Sequence, residues 1–190
     1  MGYSYTHMVN ILNHKIVAKG KVFSIHSIGL QFPNGKKVKH EYMDSATGNG
    51  RRSVVIVPVD KNGRILLIEL YCTGVNKREV MCPTGLVDKG ETALQAAKRE
   101  CQEEIGYLPK KLVHLGTVET APGYSTHSTE IYLGTNLVPS KLQGDEPEEL
   151  KVIRTKFKDV PALIKKRKLQ YATSIAALLM AEKYLEKHKT

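Results

Sequence analysis

The chain has 190 residues, 41% hydrophobic and 25% charged, with 29 Lys and Arg against 19 Asp and Glu for a formal net charge of +10. That is enough chain for one compact domain with a sizeable core, at a composition ordinary for a globular protein. No apolar run approaches the roughly 18–20 residues of a membrane span, and residues 1–10 lack the basic-then-apolar pattern of a secretory leader. Cys72, Cys82 and Cys101 form no C-x-x-C pair and leave one thiol unmatched, so reduced thiols in a cytoplasmic protein are expected, not a disulfide framework. The basic excess is scattered, as at Lys36, Lys37 and Lys39, or gathered in Lys165, Lys166, Arg167 and Lys168. Such runs are usually solvated faces. They help draw in small anions without arguing for nucleic acid as a partner.

In chain order, residues 8–43 read as extended segments, with 21–30 and 36–42 flanking the turn signal Pro33-Asn34-Gly35. Gly48-Asn49-Gly50 marks a boundary, giving an N-terminal β-sheet subdomain over 1–47 and a main domain over 48–190. The apolar, β-branched runs 53–59 and 64–70 surround Asp60-Lys61-Asn62-Gly63 and read as a hairpin, in a sheet covered on both faces. A helix over 93–104 follows, with Thr92 and Gln95 as a capping box, Gly106 to stop it and Pro109 to discourage resumption. Strands are expected at 111–119, 129–136 and near 150–157. An amphipathic helix over 172–187 closes the chain with Ile175, Leu178, Ala181 and Leu185 on one stripe. Strands interrupted by two separated helices point to a mixed α/β sandwich.

On the 93–104 helix, Leu94, Ala97, Cys101 and Ile105 share the expected core face, and Glu100, Glu103 and Glu104 fall together on another. Three carboxylates so close repel, and hard divalent cations with oxygen ligands are the natural counter-charge. An isolated E-x-x-E-E would be read as an ordinary solvated face. Here Gly85 begins a turn, Glu91 lies near the helix start and Arg99 precedes Glu100.

Gly85-Leu86-Val87-Asp88-Lys89-Gly90-Glu91, seven residues, then Arg99-Glu100-Cys101-Gln102-Glu103-Glu104-Ile105-Gly106-Tyr107 resembles the Nudix signature G-x5-E-x7-R-E-U-x-E-E-x-G-U at every specified position. The resemblance implies a Nudix α/β/α sandwich with a small N-terminal antiparallel β-sheet. It implies Mg²⁺ as cofactor, with Mn²⁺ an alternative, and a pyrophosphatase acting on a small nucleoside diphosphate compound. Glu100 and Glu104 would be the principal metal ligands, with Glu103 beside them and the carbonyl of Thr84 adding a ligand. Arg99 and Glu91 would orient the loop and the carboxylates.

Beyond this box, Ala121-Pro122-Gly123-Tyr124 is similar to the Pro-Gly element of the ADP-ribose pyrophosphatase branch, with the proline sixteen residues after Gly106. The stretch from Leu142 to Leu150, holding Asp145, Glu146, Glu148 and Glu149, resembles the acidic loop of the ADP-compounds hydrolases, which act on ADP-ribose, NADH and diadenosine polyphosphates. One departure stands out. Glu69-Leu70-Tyr71-Cys72 lacks the arginine of the Glu-Gln-aromatic-Arg run, which points away from dedicated ADP-ribose specificity. Arg52, Pro122, Gly123 and Tyr124 are the expected substrate contacts. Glu148, ahead of Glu146, is the expected base, since a glutamate committed to metal is a poor one. In this branch the N-terminal strands usually build a homodimer. The alternatives are hydrolysis of another X-diphosphate, such as a nucleotide sugar or a capped RNA end, and a nucleotide-sensing module without turnover. Cys101, on the core face, reads as a small hydrophobe and not as a nucleophile, and His127 as a loop histidine.

Overall fold

Alternation within two apolar runs sets the layering. In the computed structural model of the chain, which describes residues 9–46, 52–144 and 146–188, these runs are strands β4 (Arg52–Pro58) and β5 (Ile65–Cys72). Successive side chains on a strand point to opposite faces. Val54, Ile56, Leu66 and Ile68 pack on one side with Ala96, Ala97, Cys101 and Ile105, and Val55, Val57, Ile65 and Leu67 on the other with Ala177, Leu178 and Ala181. Each large aliphatic side chain buried this way contributes about 1.5–3 kcal/mol. The result is an α/β/α arrangement, and the expectation of a sheet region covered on both faces holds.

The expected hairpin over 53–59 and 64–70 is corrected. β4 and β5 are bridged only at Val59 and Ile65. They then part into two sheets, one ordered β7-β4-β9-β8 and the other β10-β5-β6, with β6 Lys77–Met81, β7 Thr84–Leu86, β8 Tyr107–Glu119, β9 Ser128–Pro139 and β10 Lys151–Thr155. Both edges of each strand are taken by other partners, so the runs do not pair along their length. The turn itself is as read: Asp60 Oδ1 accepts from the Asn62 and Arg64 N–H groups at 2.8 and 2.9 Å, and Gly63 has φ +70°.

Helix α1 (Ala93–Glu100) starts in the expected capping box: Thr92 Oγ1 accepts from the Gln95 N–H and Gln95 Oε1 accepts from the Thr92 N–H. It continues as one π-helical turn, Cys101–Ile105, closed by the Gly106 N–H on the Cys101 carbonyl with Gly106 left-handed. Leu94 is 42% exposed and does not belong to the core face. The inward face is centred on Ala96, Ala97 and Glu100, whose two small side chains let the helix approach β4 and β7. Helix α2 (Val160–Lys165) was not anticipated; α3 (Ala172–Lys187) has the expected bounds and buries Leu178 and Ala181. No helix among the described residues is long and apolar enough to cross a membrane.

These elements form one compact unit, Arg52–Val118 with Thr129–Thr190; the other comprises the N-terminal strands and Glu119–Ser128. In that other unit, β1 (Asn10–Lys19), β2 (Phe23–Gln31) and β3 (Lys37–Ser45) form an antiparallel sheet in that order. The expected turn carries β2 into β3, with Gly35 donating to the Phe32 carbonyl at 2.9 Å. β1 is exposed along its whole length. The boundary signal Gly48-Asn49-Gly50 lies outside the described residues.

Candidate active site

Glu100 and Glu104 are the two carboxylates the helix turns inward, at 8% and 4% exposure; Glu103 is half-buried beside them. The chain makes room for Glu100 by having no side chain at Gly85. A Cβ there would stand 1.8 Å from Glu100 Oε1. Gly85 is held in register by pairing with Val54, and the neighbouring Thr84 with Val55. Thr84 Oγ1 donates to the Val54 carbonyl, and its N–H donates to Glu104 Oε2 at 2.9 Å. Burial first, then the nearby Glu100 charge, pushes the Glu104 carboxyl well above its ordinary range, against the pull of the Thr84 N–H.

Arg99 ties the remaining carboxylates together. Its Nε and Nη2 grip both oxygens of Glu91 at 3.0 Å, its Nη1 donates to Glu100 Oε1 at 2.7 Å and Glu103 Oε2 at 3.1 Å, and Nη2 also reaches the Leu86 carbonyl at 2.9 Å. Such planar, multidentate bonding needs arginine. The Arg99 bond holds the Glu91 carboxyl below its usual range. Glu91 in turn accepts from the Asp88 N–H, which pins the loop between β7 and α1.

The acidic loop lies against the same helix. Ser140 donates its N–H to the Gly106 carbonyl, Leu142 to that of Gln102, and Lys141 Nζ bonds the Glu103 carbonyl. Between helix and loop is a cavity of about 400 Å³ whose lining includes Glu100, Glu103, Glu104, Glu146, Glu148 and Glu149. Glu146 is near enough to Glu104 to help raise it. Glu148 is engaged elsewhere: Arg78 Nη2 on β6 holds both its oxygens at 2.6 and 2.7 Å, which lowers its carboxyl. Asp145 lies outside the described residues.

The structure thus brings together Thr84, Arg99, Glu100, Glu103, Glu104, Glu146 and Glu148. Arg52, at the start of β4, is exposed and accepts the Val87 N–H on its carbonyl. Pro122, Gly123 and Tyr124 belong to the other unit, where the Tyr124 carbonyl accepts from the Met43 N–H and its ring is 64% exposed. Arg78 and Lys141 were missed. Arg78 meets a partner 70 residues away, and no local pattern marks such a pair.

Among the described residues no three His, Cys, Asp or Glu side chains are gathered as a ready metal cluster. Glu100 and Glu103 are turned to Arg99, and Glu104 to Thr84. The donor set nevertheless fits a hard divalent cation. It is all oxygen, it includes a buried carboxylate raised by burial and like charge, and Gly85 leaves the space that the Glu100 carboxylate occupies.

Comparison with known proteins agrees with this fold. A NUDIX domain model matches residues 50–178. The ADP compounds hydrolase NudE of Escherichia coli (strain K12) is 32% identical over 176 residues, covering 93% of this chain and 92% of that protein. An ADP-ribose pyrophosphatase of Bacillus subtilis (strain 168) is 28% identical over 174 residues, covering 88% and 91%. A crystal structure of an ADP compounds hydrolase matches with a TM-score of 0.86 at 31% identity, covering 94% of this chain and 95% of the other.

Proposed function

The chain belongs to the Nudix family and is a Nudix pyrophosphatase, and on that premise we propose that it hydrolyses the pyrophosphate bond of ADP-linked compounds, including ADP-ribose, NADH and diadenosine polyphosphates. The products are AMP and a phosphate ester. The observation that carries the reading is the inward pair Glu100 and Glu104, facing a cavity lined by six carboxylates. An anionic substrate enters such a cavity only with added positive charge. Nudix hydrolases generally use divalent ions, and Mg²⁺ is the ion we assign; bound, it would neutralise pyrophosphate oxygens and lower the pKa of a coordinated water.

The protein's own groups divide the remaining work. Glu100, Glu103, Glu104 and the Thr84 carbonyl would hold the ion, and Arg99 with Glu91 keeps Glu100 and Glu103 aimed. Glu146 is our choice of base. It faces the cavity near Glu104, whereas the Arg78 pair weakens Glu148 as a proton acceptor. Arg52 is a candidate for substrate phosphate, and the exposed Tyr124 ring beside Pro122 and Gly123 for stacking on adenine. The exposed apolar side chains of β1, among them Ile11, Leu12, Ile16 and Val17, support a homodimer through this strand. Three free thiols, two of them buried, fit a cytoplasmic enzyme.

The test is a Mg²⁺-supplemented panel of ADP-ribose, NADH, NAD⁺, diadenosine triphosphate and UDP-sugars, read by product chromatography. Several ADP compounds should yield AMP. UDP-glucose cleaved much faster than every ADP compound would overturn the substrate class.

A further inference from the structure

A second cavity, of about 720 Å³, opens beside the Asp60–Arg64 turn and shares no lining residue with the acidic one. Its charge is opposite. Lys61, Arg64 and Arg154 line it against one carboxylate, Asp60, and that carboxylate is consumed by Arg64 at 2.8 Å. Among the described residues the Arg154 side chain donates one hydrogen bond, to the Tyr107 hydroxyl at 3.3 Å, which leaves most of its guanidinium donors for a ligand. Among the described residues Lys61 and Arg154 have no acidic partner, and they come from segments some ninety residues apart because β10 lies beside β5, with Arg154 opposite Leu66.

The rest of the lining is suited to a ring. The half-buried Leu137 supplies apolar lining, and the half-buried Tyr107 presents an aromatic surface next to the guanidinium. At the rim, Asn136 has φ +56°, one of few residues other than glycine in the left-handed region. Strain of that kind clusters at ligand sites, and asparagine bears it better than most residues. The volume is in the range of small-molecule sites and much too large for a bare phosphate, which would also leave the apolar lining without a partner.

We propose that this cavity binds a nucleoside phosphate, with Arg154 and Lys61 on the phosphate and Tyr107 with Leu137 against the base. It is separate from the hydrolytic cavity and does not require the catalytic carboxylates. AMP is the probe, titrated into the ¹⁵N-labelled full chain in excess chelator. Amide shifts should move at Lys61, Asn62, Tyr107 and Asn136, and adenosine and inorganic phosphate should each bind at least tenfold more weakly than AMP. Arg154→Ala and Lys61→Ala should each weaken AMP at least tenfold, while Glu104→Gln, expected to lose turnover, should bind it unchanged. Both substituted side chains are exposed, and Lys61→Ala decides the matter if Arg154→Ala misfolds. Shifts confined to the acidic cavity, unaltered affinity in the variants, or equal binding of inorganic phosphate would each overturn the proposal.

Discussion

Replacing Gly85 by alanine tests the site through a single methyl group. Gly85 does not have a positive φ, so its role is close approach and not backbone freedom. The added Cβ would lie 1.8 Å from Glu100 Oε1, 2.1 Å from its Cδ and 2.6 Å from Oε2. Real contacts need more than 3 Å, so the carboxylate must retreat by over an ångström, away from the 2.7 Å bond with Arg99 Nη1. Overpacking of this kind costs about 1–3 kcal/mol, which in a protein of this size lowers Tm by a few degrees to about 10 °C. If Glu100 is a metal ligand, the displacement should also lower kcat/KM by about 100-fold or more, since even groups behind a ligand cost 10–100-fold. Gly63→Ala is the control. It forces a side chain into a φ of +70° with nothing within 4 Å, and should cost about 1–2 kcal/mol without touching turnover. Measurement is by calorimetric unfolding and initial rates on ADP-ribose with Mg²⁺. Wild-type activity in Gly85→Ala, or activity lost to the same extent in Gly63→Ala, would refute the reasoning.

Glu104→Gln removes the charge that burial and Glu100 disfavour, so Tm in chelator should hold or rise while turnover falls by about 100-fold or more; a fully active variant would sink the ligand assignment. Glu146→Gln should lower kcat by about 10²–10⁴-fold with little change in metal affinity, against milder effects for Glu148→Gln and Glu149→Gln; equal, small losses at all three would return the base to metal-bound water. Because Arg99 holds the folded Glu91 carboxyl below 4.5, the unfolded chain binds more protons there. The stability this adds is present above about pH 4.5 and is lost as pH falls through the folded value. Thermal unfolding against pH should therefore show a flatter acid limb in Glu91→Gln. Light scattering should give twice the 21.2 kDa chain mass, and Ile11→Lys with Ile16→Lys should halve it; a wild-type monomer with full activity would count against dimerisation through β1.

What sequence could disclose here depended on range. The capping box, the Gly106 stop and α3 are local, set by residues within four positions of one another, and they were legible. The box placed Arg99, Glu100 and Glu104 correctly on one helix. Periodicity alone assigned Leu94 inward, because it weighs hydrophobicity and ignores that Ala96 and Ala97 permit the closest approach to β4. The separation of β4 from β5 was illegible for another reason. Edge partners come from β9 and β10, whose pairing no turn signal between residues 60 and 63 can announce. Arg78, opposite Tyr71 on the strand beside Cys72, is equally non-local.

The charge distribution in the cavity also orders the carboxylates by need. Glu100 and Glu103 share Arg99, and Glu148 has Arg78. Among the residues bonded to Glu104, the polar group is the neutral Thr84 N–H, while Glu100, Glu146 and Glu103 all act to raise it. Added positive charge therefore gains most beside Glu104. There it removes the largest repulsion, and burial weakens the competition from water. On the proposed reading Glu104 and Glu100 would hold the divalent cation, with Arg99 anchored by its two bonds to Glu91 and its bond to the Leu86 carbonyl. Arg99 thus acts as an internal counter-ion for Glu91, Glu100 and Glu103. The arginine of the box offsets the repulsion between Glu100 and Glu103, while Glu104, bonded to the Thr84 N–H, is the carboxylate on which a bound cation would act most.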